Sequence, residues 1–266
     1  MPTLENDPAQ HEPVMYRVDG HIARITLNRP ERANAIDSAT ADRLVDGFLQ
    51  ADCDPNVRVV LLTGAGERHF CGGMDLKAVQ ESGRKTYPHP MKQAGRNLHE
   101  VLLEIGKPTI AALNGTAVGA GCELALACDL RLAAAGVELG QPEVTMGMGG
   151  NFAATLLPLL LPRALALELL FTGRRIECEE ALRLGLLNGV VPRSSLQDEA
   201  TQLAQRIAAN APLSLRKVKE TALRSWGMPP FTGLRLNVGP DAYSSEDRAE
   251  GVLAFVEKRA PRFVGR

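Results

Sequence analysis

The sequence predicts an α/β fold in which strands and helices alternate through most of the chain and helices take over near its end. Three observations predict it. Short continuous apolar runs rich in β-branched residues, "VRVVLLTG" (57–64) and "TIAALNG" (109–115), suit strands buried on both faces. Each is followed by a glycine-rich bend and then by a helical stretch, the layering that crossover connections produce. Beyond about residue 195 the apolar residues recur at the 3.6-residue spacing of helices.

The elements follow in order. Residues 14–19 and 21–27 alternate apolar and polar on either side of Gly20, the pattern of a β-hairpin. Asp37 suits an N-cap, because Leu44, Val45, Phe48 and Leu49 then fall on one helical face. The first buried strand ends at Gly64, and "GAGERHFCGG" (64–73) reads as a loop into a helix starting from "MDLKAVQ" (74–80). Residues 81–95 are polar, contain Pro88 and Pro90, and read as a surface loop, a lid or a specificity element. A helix with Leu98, Val101 and Leu102 on one face follows. Strand "TIAALNG", a bend, helix "CELALAC" (122–128) and strand "LRLAAA" (130–135) repeat the pattern. The most membrane-like stretch is "FAATLLPLLLPRALALELLF" (152–171). It carries Arg163, Glu168 and two prolines, each expensive in hydrocarbon, so it reads as a buried or partner-facing helix. "DEATQLAQRIAANA" (198–211), "PLSLRKVKETALRSW" (212–226, with Pro212 at a first helical position) and "SSEDRAEGVLAFVEKRA" (244–260) complete the chain. The division expected is a core over 1–195 and a helical region over 196–266.

Bulk composition narrows the function. The chain has 266 residues, is 45% hydrophobic and 23% charged, and carries a formal net charge of −1. That charge leaves no electrostatic footprint for nucleic acid or an anionic membrane, and the few aromatics (one Trp, three Tyr, seven Phe) supply no base-stacking platform. The five cysteines, Cys53, Cys71, Cys122, Cys128 and Cys178, are odd in number and scattered, without metal-ligand spacing. They read as small buried hydrophobes, reduced in a cytoplasmic compartment, and no metal is expected. The polar, acidic N-terminus "MPTLENDPAQHEP" shows no signal-peptide pattern.

Chemistry concentrates in two bends and two carboxylates. In "NGTAVGAGCELALAC" (114–128), Gly119, Ala120 and Gly121 leave backbone amides uncovered where a helix begins, and a helix start favours negative charge. Glu123 lies in that same first turn, where the dipole favours its ionised form and fits it to act as a base. "FCGGMDL" (70–76) repeats the logic, with Met74 opening a helix. Two bends each offering one N–H make a two-donor oxyanion hole, which suits a carbonyl that gains negative charge. A second isolated carboxylate, Glu143 in "LGQPEV", follows Glu123 by twenty residues. No Ser, Cys or His stands in a nucleophile-elbow context, so a pair of glutamates beside such a hole suits proton movement next to a carbonyl. Taken singly, each feature is ordinary: acidic first turns complement dipoles, and Gly and Pro punctuate turns. The constellation carries the reading.

These residues resemble the enoyl-CoA hydratase/isomerase (crotonase) superfamily over nearly the whole chain. "ITLNRPERANAI" is similar to its CoA-binding A-loop and "LTGAGERHFCGGMDLK" to its first oxyanion segment. "KPTIAALNGTAVGAGCELALACDLRLA" is similar to its second, and "FTGRRIECEEALRLGLLNGVVP" and "EGVLAFVEKRAPRF" to later signatures. The resemblance implies an α/β spiral of ββα units with a helical C-terminal trimerisation region. It implies that Met74 N–H and Ala120 N–H hold a thioester oxygen, and that Glu123 and Glu143 are the catalytic acid/base pair, with Gln141 orienting Glu143. Asp75, Leu76 and Lys77 would line the acyl-CoA site, together with Gly121. Ala33 and Ala35 would meet the adenine end, and Lys258 the CoA phosphates. The implied partners are an acyl-CoA substrate, with coenzyme A part of the substrate rather than a cofactor, and copies of the chain in a trimer or paired trimers. Three departures stand out. Ala120 replaces a common Gly, Glu31 replaces a frequent basic residue, and "VTMGMGGNFAATLLP" (144–158) replaces the usual acyl-pocket stretch. The expected activity is 2-enoyl-CoA hydration. The alternatives are double-bond isomerisation, dehydration of a substituted hydroxyacyl-CoA such as the carnitinyl thioester, or a catalytically silent acyl-CoA-binding relative.

Overall fold

The computed structural model describes residues 12–81 and 95–266. Strands β1 (Val14–Asp19) and β2 (Ile22–Leu27) form the expected antiparallel hairpin around Gly20. Helix α1 (Ser38–Cys53) starts where Asp37 caps it, its side chain accepting the Thr40 amide. β3 (Val59–Gly64) is buried along its whole length and runs parallel to β2. After it come β4 (His69–Cys71), α2 (Leu76–Glu81) and α3 (Leu98–Glu104). A capping box between Asn97 and Glu100 sets the start of α3.

The second passage is β5 (Thr109–Leu113), β6 (Thr116–Val118) and α4 (Ala120–Ala127). The third is β7 (Leu130–Ala134), β8 (Glu138–Gly140), a 3-10 turn over Pro142–Met146, α5 (Asn151–Leu160) and α6 (Arg163–Thr172). Then come β9 (Arg175–Glu177), α7 (Cys178–Arg183) and β10 (Gly189–Val191). Helices α8 (Leu196–Ala208), α9 (Pro212–Arg224), α10 (Pro230–Gly233) and α11 (Glu246–Glu257) complete the chain.

The strands sort into two sheets. One has the order β1-β2-β3-β5-β7-β10, the other β4-β6-β8-β9. Three times in succession a strand of the large sheet hands the chain to a three-residue strand of the small sheet and then to a helix. β3, β5 and β7 are parallel neighbours in the first sheet, and β4, β6 and β8 are parallel neighbours in the second. This is a spiral of ββα turns. The large side chains held entirely out of water, among them Phe48, Leu61, Leu62, Leu102, Ile110 and Leu124, lie on these elements. Burying each contributes about 1.5–3 kcal/mol before conformational entropy is counted. Helix α8 packs back across β3, β5 and β7 through Leu196, Ala200 and Ala204. The last residues fold back too: the Asp247 carboxylate accepts the amides of Val264 (2.6 Å) and Gly265 (2.9 Å).

Three expectations about the fold need correction. Cys53 is exposed near the end of α1, while Cys71, Cys122, Cys128 and Cys178 are buried as expected. The stretch 152–171 is two helices rather than one. Pro162 holds the preceding Leu161 in extended backbone (φ −125°, ψ 159°), which stops α5 and starts α6. Met74 does not open a helix. It forms a parallel bridge with Ile36, and α2 begins at Leu76, where the Asp75 side chain accepts the Ala78 amide at 3.0 Å. Among the described residues no helix is long and apolar enough to cross a membrane. Residues 82–94 of the expected surface loop lie outside the described residues.

Candidate active site

The carboxyl ends of β4, β6 and β8 lie side by side and deliver the site. After Cys71, β4 leads into Gly72–Met74. After Val118, β6 leads into Gly119 and Ala120. After Gly140, β8 leads into Gln141 and Glu143. Ligands in sheets with parallel strands commonly bind at such ends.

The first bend is tied to the chain before α1. Ile36 N–H donates to Gly73 O (2.8 Å) and Asp75 N–H to Ile36 O (2.9 Å). This bridge uses the amides flanking Met74, so the Met74 N–H is turned away from it and has no acceptor among the described residues. Ala120 opens α4, and its N–H likewise has no acceptor there, as expected at a helix start. The two bends touch. Gly73 adopts φ +90°, and a Cβ on it would lie 2.9 Å from Val118 O and 3.6 Å from the Ala120 nitrogen. Only glycine lets the two bends pack this closely.

Both glutamates border the second bend. Gly119, with φ +56° and ψ −131°, has no room for a side chain, since a Cβ would stand 2.9 Å from Glu143 Oε1. Glu123 is buried one turn into α4, and its Oε1 accepts the Ala153 amide at 3.0 Å. Burial raises the Glu123 pKa, opposed by the amides of Ala153 and Phe152. The expectation that the α4 dipole holds it ionised is therefore corrected. Desolvation dominates, and the helix start that favours the carboxylate is that of α5. Glu143 is pushed up to about 7, by burial first and by the charge of Glu123. Its Oε2 is buried without a partner among the described residues, and so is Oε1 of Gln141. Both oxygens face Gly150, where a Cβ would lie 3.4 Å from the Gln141 atom and 3.9 Å from the Glu143 atom. Gln141 donates its amide to Gly119 O at 3.3 Å, which ties the Glu143 turn to the second bend.

The arrangement is a slot where the two packed bends, each with a free amide, meet two carboxylates. One carboxylate is amide-bound; the other holds an open oxygen and is poised to carry a proton near neutrality. A model described as enoyl-CoA hydratase/isomerase matches residues 17–266. The chain belongs to the enoyl-CoA hydratase/isomerase family.

Relatives agree along the whole length. The chain is 40% identical over 267 residues to an (E)-benzylidenesuccinyl-CoA hydratase of Thauera aromatica, covering 95% of this chain and 99% of that one. It is 42% identical over 256 residues to a carnitinyl-CoA dehydratase of Salmonella typhi, covering 93% and 97%. Among solved structures it is similar to an enoyl-CoA hydratase from Bacillus anthracis, with a TM-score of 0.88 and 35% identity over 96% of this chain and 100% of that one. One from Mycobacterium tuberculosis H37Rv matches with a TM-score of 0.87 and 36% identity over the same shares. The fold is the crotonase fold of this family.

The other residues that the family resemblance singled out fall into three groups. In the A-loop, Ala33 takes left-handed backbone (φ 55°) and its carbonyl accepts the Gly72 amide at 2.8 Å, so the loop is stitched to the first bend. The Ala35 carbonyl accepts from Arg29 at 2.7 Å. Beside Met74, the Leu76 and Lys77 side chains are exposed. The Asp75 side chain is buried and committed to Arg29 (2.9 Å) and to capping α2. Gly121 serves packing, because a Cβ there would fall 2.2 Å from Cys71 O. Lys258 caps α11 in left-handed backbone and is exposed, with no bond to the slot residues. Among the described residues no cluster of three or more His, Cys, Asp or Glu is placed to hold a metal. Sequence reasoning passed over His99, which is buried on α3 with Nε2 3.0 Å from Ala120 O and 3.8 Å from Glu123 Oε2. A polar residue beside Leu98 and Val101 on an apolar helix face was the available signal.

Proposed function

We propose that the chain adds water reversibly, in the syn sense, across the double bond of a 2-enoyl-CoA. The thioester oxygen lies between Met74 N–H and Ala120 N–H. Glu123, whose carboxylate form the α5 amides favour against burial, takes a proton from the attacking water. The water oxygen bonds to the β-carbon, the π electrons move to the thioester oxygen, and the two amides stabilise the resulting enolate. Glu143, protonated near neutrality, delivers its proton to the α-carbon as the carbonyl re-forms. Exchange with solvent restores both carboxyls. Coenzyme A enters as part of the substrate, and no resident cofactor is needed. The observation that carries this reading is the meeting of two acceptor-free amides with two carboxyls of unlike surroundings at three adjacent strand ends.

The test is loss of the conjugated thioester absorbance with crotonyl-CoA and with longer and branched enoyl-CoAs, for wild type and Glu123→Gln. Absence of hydration at every chain length overturns it. A second reading, dehydration of a substituted hydroxyacyl-CoA or double-bond isomerisation, draws support from the dehydratase relatives and from the departure over residues 144–158. Product analysis with 3-enoyl-CoAs and hydroxyacyl-CoAs separates it from the first. Homotrimers or paired trimers are part of the proposal, supported by Phe231 (86% exposed), Leu234 (80%) and Phe255 (85%) on α10, just after it and on α11. The five free cysteines support a reducing, cytoplasmic setting.

A further inference from the structure

His99 touches three parts of the slot from outside it. Its Nε2 lies 3.0 Å from Ala120 O and 3.8 Å from Glu123 Oε2, and its ring packs on Phe152 with centroids 5.3 Å apart at 31°. Phe152 and Ala153 supply the amides that act on Glu123. Both neighbours of Nε2 are acceptors, which assigns the proton of the neutral imidazole to Nε2. Burial pushes the imidazole down to about 4, so it is neutral when the enzyme works.

We propose that His99 is a positioning residue: its Nε2–H holds the Ala120 carbonyl and faces Glu123 Oε2, locking the second oxyanion bend and the water-activating carboxylate into one unit. The proposal rests on the hydratase reading for what Glu123 does, but not for the contact itself. The Nε2–H donates to Ala120 O, and its positive end stands 3.8 Å from Oε2, where it favours the ionised carboxylate, so His99 works with the α5 amides against the desolvation of Glu123. Without it, residue 120 loses its tether to α3, and Glu123 binds its proton more tightly.

The other ionisable groups near this contact are few. Among the described residues, the Cys122 thiol lies on α4, Glu143 in the turn after β8, and Glu100 on α3 itself. Helix α1 also packs on α3, and its buried residues Thr40, Leu44, Gly47, Phe48 and Ala51 do not ionise in the working range. Phe152 is the neighbour from α5.

The experiment is a titration of the full-length protein labelled with carbon-13 at glutamate carboxyls. The Glu123 signal is identified by its loss in Glu123→Gln. In His99→Leu and His99→Asn the midpoint should rise by about half to one pH unit, since neither places an N–H at Oε2. In His99→Gln, whose amide reaches as far as Nε2, it should return towards wild type. With enoyl-CoA substrate, kcat in the Leu and Asn variants should fall about 10-fold or more while KM changes little, and Gln should recover most of the loss. An unchanged midpoint in the Leu and Asn variants, or a Gln variant shifted as far as Leu, overturns the proposal. If the Leu variant does not fold, the Asn variant decides alone. A wild type that hydrates no enoyl-CoA defeats the hydratase reading, and the titration still decides the role of His99.

Discussion

The carboxylate of Glu123 accepts the backbone amide of Ala153 at 3.0 Å, so a side chain from α4 closes the open end of α5. Helix α5 needs this, because its own N-cap is Gly150, which has no side chain. Chemistry and capping are therefore separable by substitution. Glu123→Gln removes the proposed base but keeps an oxygen for Ala153. It should lose about 10²–10⁴ in kcat with its melting temperature near that of wild type. Glu123→Ala removes both and should be less stable than the Gln variant by about 1 kcal/mol. Enoyl-CoA hydration assays and thermal melts of the two variants check this. Equal melting temperatures would remove the capping role.

Glu143 titrates at about 7 instead of 4.5, chiefly through burial. A raised pKa means that the folded state holds the proton more tightly than the unfolded chain does. The stability that Glu143 contributes is full below about 4.5 and is lost as pH rises to about 7. Wild type should therefore lose stability relative to Glu143→Gln across that window, with a constant difference above it. Catalysis should respond in the same place. As the proposed acid, Glu143 must be protonated, so kcat/KM should decline on the alkaline side of about 7. Denaturant melts at several pH values and a pH–rate profile measure the two effects.

Glycine is required at 119 and 121 for different reasons. Gly119→Ala puts a methyl 2.9 Å from Glu143 Oε1 and forces a side chain into φ +56°, ψ −131° backbone. The strain costs about 1–3 kcal/mol and displaces a proposed catalytic oxygen, so activity should fall more steeply than stability. Gly121→Ala drives its methyl to 2.2 Å from Cys71 O, backbone that cannot step aside without moving β4. That variant should fail chiefly in folding, read as loss of soluble protein or a large drop in melting temperature.

The difference between these glycines shows what a linear sequence carries. The long elements were legible because their signals are repeated: the six buried residues of β3, the Asp37 cap of α1 and the apolar stripes of α8 are periodic or locally capped. The three-residue strands β4, β6 and β8 offer no period to count: β4 falls in the stretch that reads as a loop, β6 in the bend, and β8 in a stretch the pattern leaves unassigned. Their ends nevertheless set the spacing of Met74, Ala120 and Glu143. The two glutamates were legible as charges among apolar neighbours. Their unlike environments were not, because the α5 amides reach Glu123 from thirty residues away and the Gly150 contact with Glu143 is tertiary. His99 escaped notice for the same reason, since its partners Ala120 and Glu123 belong to another helix.

Exposed aromatic side chains at the C-terminal helices predict assembly. Phe231 and Phe255 are 86% and 85% exposed on the single chain, a poor arrangement for an isolated monomer in water. Phe231→Asp combined with Phe255→Asp should shift the species seen by light scattering after gel filtration towards monomer, with the fold retained by circular dichroism. An unchanged assembly size would move the interface elsewhere.

Arg29 joins the A-loop to the proposed first oxyanion bend, pairing with Asp37 at 3.0 Å and with Asp75 at 2.9 Å. Burial, the largest single influence on Asp75, pushes its pKa up, but the Ala78 amide and the Arg29 guanidinium together bring it below the ordinary value. The depressed pKa makes this a contribution that is present above about 3.8 and lost as pH falls below it. Arg29→Met leaves Asp75 buried with its amide contact alone, and it should cost up to about 3 kcal/mol at neutral pH. Asp75→Asn keeps a polar group at the start of α2 and should cost less. Because Gly73, Met74 and Asp75 are bonded through Ile36 to the end of the same loop, loosening Arg29 should also free the Met74 amide, lowering kcat/KM. Denaturant melts at neutral and acid pH, run beside enoyl-CoA kinetics, test both parts. An Arg29→Met protein that is destabilised but has wild-type kcat/KM would confine the ion pair to folding.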